Sequence, residues 1–383
     1  MSGAEAIDAA AHVARGIEER GAAPAAAAGC ACRVGSPPLP PTPTDTPWSV
    51  GAMSAWVRDV GGKTSLYFDL ASVTKPMTAV AAVRAGIEPS TPLGALLDEA
   101  RGTASEGIPL ELFLAHRAGL AGHRALYAPL VRGERVDVPA ALHEAAGARR
   151  EDALGDARLL GAAGFEPVYS DLGYALAGEA IARAIGARDA GEAIGRLVLE
   201  PLGIADQAGT IRDLAVRGIA GPFAPTEDVP WRGGLVSGAV HDENAWALTG
   251  LGGSGHAGIF GTIAAVLTFG TAVLDGLAGR GVFGDRGPDS LAWLVRPRPG
   301  GTLRAGFDGK SEEGSSAGVR LGPNAFGHLG FTGTSLWLDP DAAIVVALLT
   351  NRVCPSREHR AIREERPRAH DSLFDRAVLL RKT

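Results

Sequence analysis

Lysine is nearly missing from this 383-residue chain: it stands only at Lys63, Lys75, Lys310 and Lys382, and arginine supplies the rest of the basic charge. With so few, a lysine inside a motif is less apt to be an accident. Cysteine is scarce as well. Cys30, Cys32 and Cys354 cannot build a full disulfide framework, and Cys30 and Cys32, two residues apart, would share one face of a strand and not form a metal loop. They read as buried thiols of a reducing compartment. There is no excess of positive charge: the formal net charge is −6, and the basic run at 357–368 is interleaved with acids. A nucleic acid is therefore not an expected partner. The first twenty residues lack the basic and apolar regions of a secretory signal, since small apolar residues alternate with Glu5, Asp8, Arg15, Glu18, Glu19 and Arg20. They read as an amphipathic surface helix, and the expected compartment is the cytoplasm. The long uncharged run at 257–274 has a length compatible with a membrane span. It contains Gly258, Gly261 and Gly270 with Thr262, Thr268 and Thr271, so a buried loop leading into a core helix is the expectation, with no membrane partner.

What is present supports a large core: 46% of residues are hydrophobic and 21% charged, enough for one large or two interlocked domains. Residues 23–34 and 54–59 have a β-compatible pattern and are separated by a proline-dense connector at 37–47. Near the other end, 317–321, 328–338 and 343–350 read as three further strands, the last two joined by Asp339-Pro340-Asp341. Helical periodicity marks 78–85, 92–100, 109–116, 138–146, 172–185 and 190–199, and the tail from 358 to 380 is helical in composition, although Pro367 should break or kink it. Strands at both ends and helices between them imply an α/β (α+β) protein with one domain built from the two chain ends, 1–90 and 300–383, and a mainly helical domain at 91–299. No repeat of solenoid length is evident.

Ser72-Val73-Thr74-Lys75-Pro76 follows an apolar run and precedes a helical pattern. Proline fits the first turn of a helix, so Pro76 places the helix start close to Ser72, where free N–H groups and the macrodipole favour negative charge. Three residues apart on one helix face, the Lys75 amine can reach the Ser72 hydroxyl, and a buried amine that loses its proton can accept the serine's. The same spacing also occurs as a plain helix cap with a solvated lysine. The wider segment Phe68-Asp69-Leu70-Ala71-Ser72-Val73-Thr74-Lys75-Pro76 resembles the nucleophile motif of the class C β-lactamase and D-Ala-D-Ala carboxypeptidase superfamily, the penicillin-binding-protein type.

That resemblance implies a β-lactamase/transpeptidase-like fold, with an antiparallel five-stranded sheet flanked by N- and C-terminal helices plus an all-helical domain. It also implies a tyrosine about a hundred residues on, and Pro167-Val168-Tyr169-Ser170-Asp171-Leu172-Gly173-Tyr174 supplies Tyr169. The superfamily's third position is Asn; here it is Asp171, which accepts hydrogen bonds but cannot donate an amide hydrogen to substrate, and which raises the Lys75 pKa unless it is neutralised or turned away. The third element is matched by His328-Leu329-Gly330. Gly330 lets a substrate backbone approach, and the N–H groups of Ser72 and Phe331 would form the oxyanion hole. Two further segments, Val240-His241-Asp242-Glu243-Asn244-Ala245 and Gly255-His256-Ala257-Gly258, resemble a pair shared by uncharacterised members. They make His241, Asn244 and His256 candidates for a substrate-facing rim or, equally, for a hydrogen-bond network between domains. A metal site of His241, Asp242, Glu243 and His256 matches no zinc spacing. The implied chemistry is acyl transfer by Ser72, Lys75 and Tyr169 on an ester, amide or β-lactam of a small molecule or short peptide, with no cofactor. A D-Ala-D-Ala carboxypeptidase or β-lactamase proper, and a non-catalytic ligand-binding protein of the same fold, are the alternatives.

Overall fold

A computed structural model describes residues 9–34, 56–153, 155 and 163–382. The proline-dense connector at 37–47 lies outside the described residues. The strand expected at 23–34 is β1 (Ala26–Arg33), and the one expected at 54–59 is β2 (Trp56–Gly62). Four more strands follow late in the chain: β3 (Asp308–Gly309), β4 (Phe326–Leu329), β5 (Ser335–Asp339) and β6 (Ile344–Thr350). They form one antiparallel sheet in the order β2-β1-β6-β5-β4-β3, with β1 paired to both a near and a very distant segment (Ala27↔Gly62, Ala26↔Thr350).

The sheet has six strands and not five, and two expectations behind that count change. Residues 317–321 form a turn, because the N–H groups of Val319 and Arg320 both donate to one oxygen of the Asp371 carboxylate (2.8 Å each). Residues 328–338 are two strands of a hairpin. Gly330 N–H donates to Thr334 O (2.8 Å), and Gly333 adopts φ +108°, so the chain reverses inside a run whose apolar pattern reads as continuous.

Alternation along β1 and β6 sorts side chains into two cores. Ala27, Ala31, Val345, Ala347 and Leu349 pack with the helix Ile263–Leu277, while Ala28, Cys30, Cys32, Val346 and Leu348 pack with helices from the two chain ends. Those end helices are α1 (Ala9–Glu19) and the tail helix Ile362–Leu380, which runs through Pro367 without interruption. Helix α1 sits directly on β2 because Gly61 has no side chain; a Cβ there would lie 2.1 Å from the Ala11 nitrogen. The remaining helices that shape the site are α2 (Thr74–Arg84), α3 (Asp171–Ala184) and α4 (Glu243–Thr249), with Ile263–Leu277 as α5 and Ile362–Leu380 as α6. The run at 257–274 is thus a loop leading into a core helix. Among the described residues no helix is long and apolar enough to cross a membrane. Of the other helical stretches, 92–100 is two short 3-10 turns, and 190–199 is a helix that widens into a π-turn at Gly195–Leu199.

Candidate active site

Ser72 lies in the 3-10 turn Ala71–Val73 that leads into α2. Ala71 has φ +47°, a left-handed conformation costing an alanine about 1–2 kcal/mol. The turn is held in it by the buried Asp69, whose Oδ1 accepts the Ala71 N–H (2.8 Å). Asp69 Oδ2 accepts the His241 N–H (2.7 Å), so one carboxylate ties the Ser72 turn to the 241 loop. Burial pushes the Asp69 carboxyl up to about 6, against the pull of those two N–H donors. From the other side, the hydroxyls of Thr332 and Thr334 donate to the carbonyls of Asp69 and Leu70 (2.7 and 2.9 Å), fixing the β4–β5 turn beside Ser72.

Lys75 is fully buried, and its Nζ donates to Ser72 Oγ (2.9 Å) and to Asp171 Oδ1 (2.7 Å). Asp171 is therefore not turned away. It opens α3, capped by Ser170, whose Oγ accepts the Gly173 N–H (3.2 Å). Burial draws the Lys75 ammonium down, but the Asp171 carboxylate, together with Tyr169, more than reverses that, and its pKa stands above the ordinary lysine value. This is the rise in Lys75 pKa that an Asp at position 171 implies when it faces the lysine, and it favours the ammonium form in the resting site.

Tyr169 leaves part of its side chain exposed and sets its ring beneath Lys75 Nζ, 4.7 Å from the centroid. Burial raises its pKa, so the phenol is protonated. Its ring stacks on His116 (centroids 4.6 Å apart, 28° between planes), a residue that sequence reasoning placed only at the end of a helix. His116 adopts φ +59°, and its Nδ1 accepts the Ser170 N–H (3.0 Å), so it supports both Tyr169 and the start of α3. His328, pressed down to about 3 by burial and the nearby Lys75, is a neutral imidazole. Its Nδ1 contact with Leu329 O (2.8 Å) assigns the proton to Nδ1 and leaves Nε2 as an acceptor. Its ring centroid is 6.1 Å from that of Tyr169.

Ser72, Tyr169, Asp171, His241, Gly330 and Phe331 line a single cavity of about 440 Å³. Phe331 N–H makes no hydrogen bond among the described residues, and Arg352 Nε donates to Phe331 O (2.8 Å), holding the peptide in place. A Cβ on Gly330 would meet Thr334 Oγ1 at 1.9 Å, so only glycine fits beneath Phe331. Lys75 and His328 sit behind this wall. Asn244 and His256 do not line it either: Asn244 accepts the Tyr127 N–H and donates to Arg124 O (3.2 and 2.8 Å), pinning a neighbouring loop. His256 bonds Asp242 Oδ1 and Ser254 Oγ (2.8 and 3.1 Å). Of the two readings of these loops, Asn244 and His256 follow the hydrogen-bond network, whereas His241 faces the cavity. Among the described residues no three of His, Cys, Asp and Glu converge as metal ligands.

A three-layer arrangement around an antiparallel sheet, with a serine–lysine pair at the head of a buried helix, is the β-lactamase/transpeptidase-like fold. The family model for Beta-lactamase matches residues 59–369, and the chain belongs to that family. It is similar to a Salmonella agona protein named "Putative D-alanyl-D-alanine carboxypeptidase", 30% identical over 207 residues, a match covering 49% of this chain and 46% of the relative. The chain thus spans about half the length of that curated relative. Among solved structures it is similar to a penicillin-binding protein homologue from Caulobacter crescentus (TM-score 0.63, 17% identity, 97% of this chain and 98% of that one). It is also similar to EstCE1, a hydrolase with promiscuous acyltransferase activity (TM-score 0.62, 17% identity, 98% of each chain).

Proposed function

We propose that this chain is a serine hydrolase that forms an acyl-enzyme at Ser72 and hydrolyses an ester, amide or β-lactam bond of a small substrate. The observation that carries the reading is the contact of Ser72 Oγ with Lys75 Nζ (2.9 Å) at the head of α2, on the wall of a cavity that Tyr169 also lines. Lys75 is held as an ammonium by Asp171, so it serves first as a positive charge beside the developing alkoxide. The Ser72 proton passes to Lys75 as Lys75 hands one of its own to Asp171, a carboxylate sink that asparagine could not provide. Ser72 Oγ attacks the carbonyl carbon, and the oxyanion is received by the N–H groups of Ser72 and Phe331. On collapse, Tyr169 protonates the leaving group and is reprotonated from the Lys75–Asp171 pair. Water then hydrolyses the ester by the same relay in reverse. The similarity to the Salmonella carboxypeptidase-named relative supports a D-alanyl peptide as a second substrate reading.

The test is labelling with a fluorophosphonate and with a penicillin, followed by peptide mass spectrometry. An adduct on Ser72, lost in Ser72→Ala, is expected; an unlabelled Ser72 together with unchanged ligand binding by Ser72→Ala would favour a non-catalytic binding protein. Parallel turnover assays with a chromogenic cephalosporin, short-chain nitrophenyl esters and D-Ala-terminated peptides separate the substrate classes.

A further inference from the structure

Five arginines, Arg352, Arg357, Arg360, Arg363 and Arg366, line the same cavity as Ser72. The acids around them are already engaged. Asp171 pairs with Lys75 (2.7 Å), Asp242 with His256 (2.8 Å), and both Glu243 and Glu227 with Arg357 (2.5 and 2.6 Å), while among the described residues Arg360 meets only the exposed Glu358 (3.3 Å). Among the described residues Arg352 bonds only carbonyl oxygens, those of Phe331, Arg357 and His359, which orient its guanidinium without neutralising it. Among the described residues neither Arg363 nor Arg366 has a carboxylate partner, and Arg366 is 7% exposed with its Nε unbonded. Burial and the neighbouring charges of Arg352 and Arg363 push Arg366 down to about 10. His241, 4% exposed, adds two ring nitrogens without a hydrogen-bond partner, and its nearest acid, Glu227, is 3.8 Å away.

Holding like charges together with buried donors unused costs stability, and a bound anion removes both penalties. We propose that Arg352, Arg363, Arg366 and His241 form an oxyanion subsite, and that the natural substrate of this cavity carries a doubly charged group, a phosphate monoester, on the portion that reaches α6. The charge count argues for two negative charges over one: three guanidiniums lack a carboxylate, and Arg is suited to fork-like contact with phosphate oxygens. This deepens the hydrolase reading and rests on it only for the word substrate; the subsite itself is a binding claim.

Two measurements on the full chain test it. In the first, inorganic phosphate is titrated calorimetrically, without turnover, so its outcome is independent of Ser72 chemistry. Phosphate should bind the wild type, and Arg363→Gln and Arg366→Gln should each weaken it about tenfold, the loss of one charge-assisted contact. Should Arg366→Gln fail to fold by circular dichroism, Arg363→Gln, on the exposed side of α6, decides alone. In the second, kcat/KM is compared for nitrophenyl esters of equal length ending in phosphate, carboxylate or methyl. The expected order is phosphate, carboxylate, methyl, with the phosphate-to-methyl ratio falling about tenfold in Arg363→Gln. No phosphate binding by the wild type, or equal binding by wild type and variants, overturns the subsite. A carboxylate ester outrunning the phosphate ester overturns its assignment to a doubly charged group.

Discussion

Replacing Asp171 by Asn keeps the shape and one acceptor oxygen while removing the charge opposite a fully buried ammonium. At the observed 2.7 Å, Coulomb attraction at an effective dielectric of ~20 is about 6 kcal/mol. The Asp171 side chain is 26% exposed, and solvent screening brings the working figure to about 3 kcal/mol. In the wild type the folded pKa of Lys75 lies above its unfolded value. The pair's contribution is therefore fully present below pH ~10.4 and is lost only as pH rises through the folded value. In Asp171→Asn, burial, the largest influence on the lysine, is opposed by Tyr169 alone, and the folded pKa should fall below the unfolded one. Between those two values the unfolded chain binds the extra proton, so the variant gains about 1.4 kcal/mol per pH unit as pH rises. Urea unfolding from pH 7 to pH 10 should show the variant about 3 kcal/mol less stable at pH 7, with the gap narrowing toward pH 10. A gap below ~1 kcal/mol at pH 7, or one that is constant or widens with pH, would refute the ion pair as drawn. Catalysis supplies a second readout: the variant's lysine becomes its own proton acceptor, and its rate acquires a rising alkaline limb that the wild type lacks.

Tyr169→Phe retains the stack on His116 but removes the hydroxyl, and should lower kcat about 10²–10⁴-fold with unchanged thermal stability, read by ester hydrolysis and calorimetry. Gly330→Ala places a methyl group against Thr334 Oγ1 and Leu70 O and should cost about 1–3 kcal/mol, together with loss of acylation measured by fluorophosphonate labelling. Asp69 titrates near 6, and once protonated it keeps only one of the two N–H bonds it accepts from Ala71 and His241. Activity should accordingly fall as pH drops through about 6, and Asp69→Asn should be low across that range without this limb.

Much of the site is legible in the sequence because its chemistry is local. Ser72, Lys75 and Pro76 declare a helix head within five residues, and the helical pattern at 172–185 places Tyr169 and Asp171 just before another, whose Ser170 cap the structure adds. Even the conflict between Asp171 and a neutral lysine is visible there; only the coordinates fix which way the carboxylate points. What escapes is whatever depends on the third dimension. His116 gives no sign of lying under Tyr169, although a helix ending just before Arg117-Ala118-Gly119 hints at its left-handed backbone. Asp69, an acid within an apolar run, signals a buried role without naming its partners. The basic run at 357–368 reads as neutralised by its interleaved acids. Yet Arg357, Arg360, Arg363 and Arg366 recur every third residue, a spacing that brings arginines to one wall while Glu364 faces elsewhere. The hairpin within 328–338 is missed because apolar alternation continues across its turn, and only Gly330 and Gly333 mark the reversal.

The pairing of β1 with β6 has a consequence for the order in which the molecule is made. Ala26 leaves the ribosome about 300 residues before its partner Thr350, and at ~5–20 residues per second the wait is about 15–60 s. Through that interval β1 has only β2 beside it, and its other edge, with both faces apolar, is open to any passing strand. Gly330 and Phe331 are likewise not yet made, so Ser72 emerges before the facing wall of its cavity exists. A nascent chain stalled before residue 344 therefore holds Ser72 while lacking β6 and leaving the β1 edge open, a hazard for aggregation.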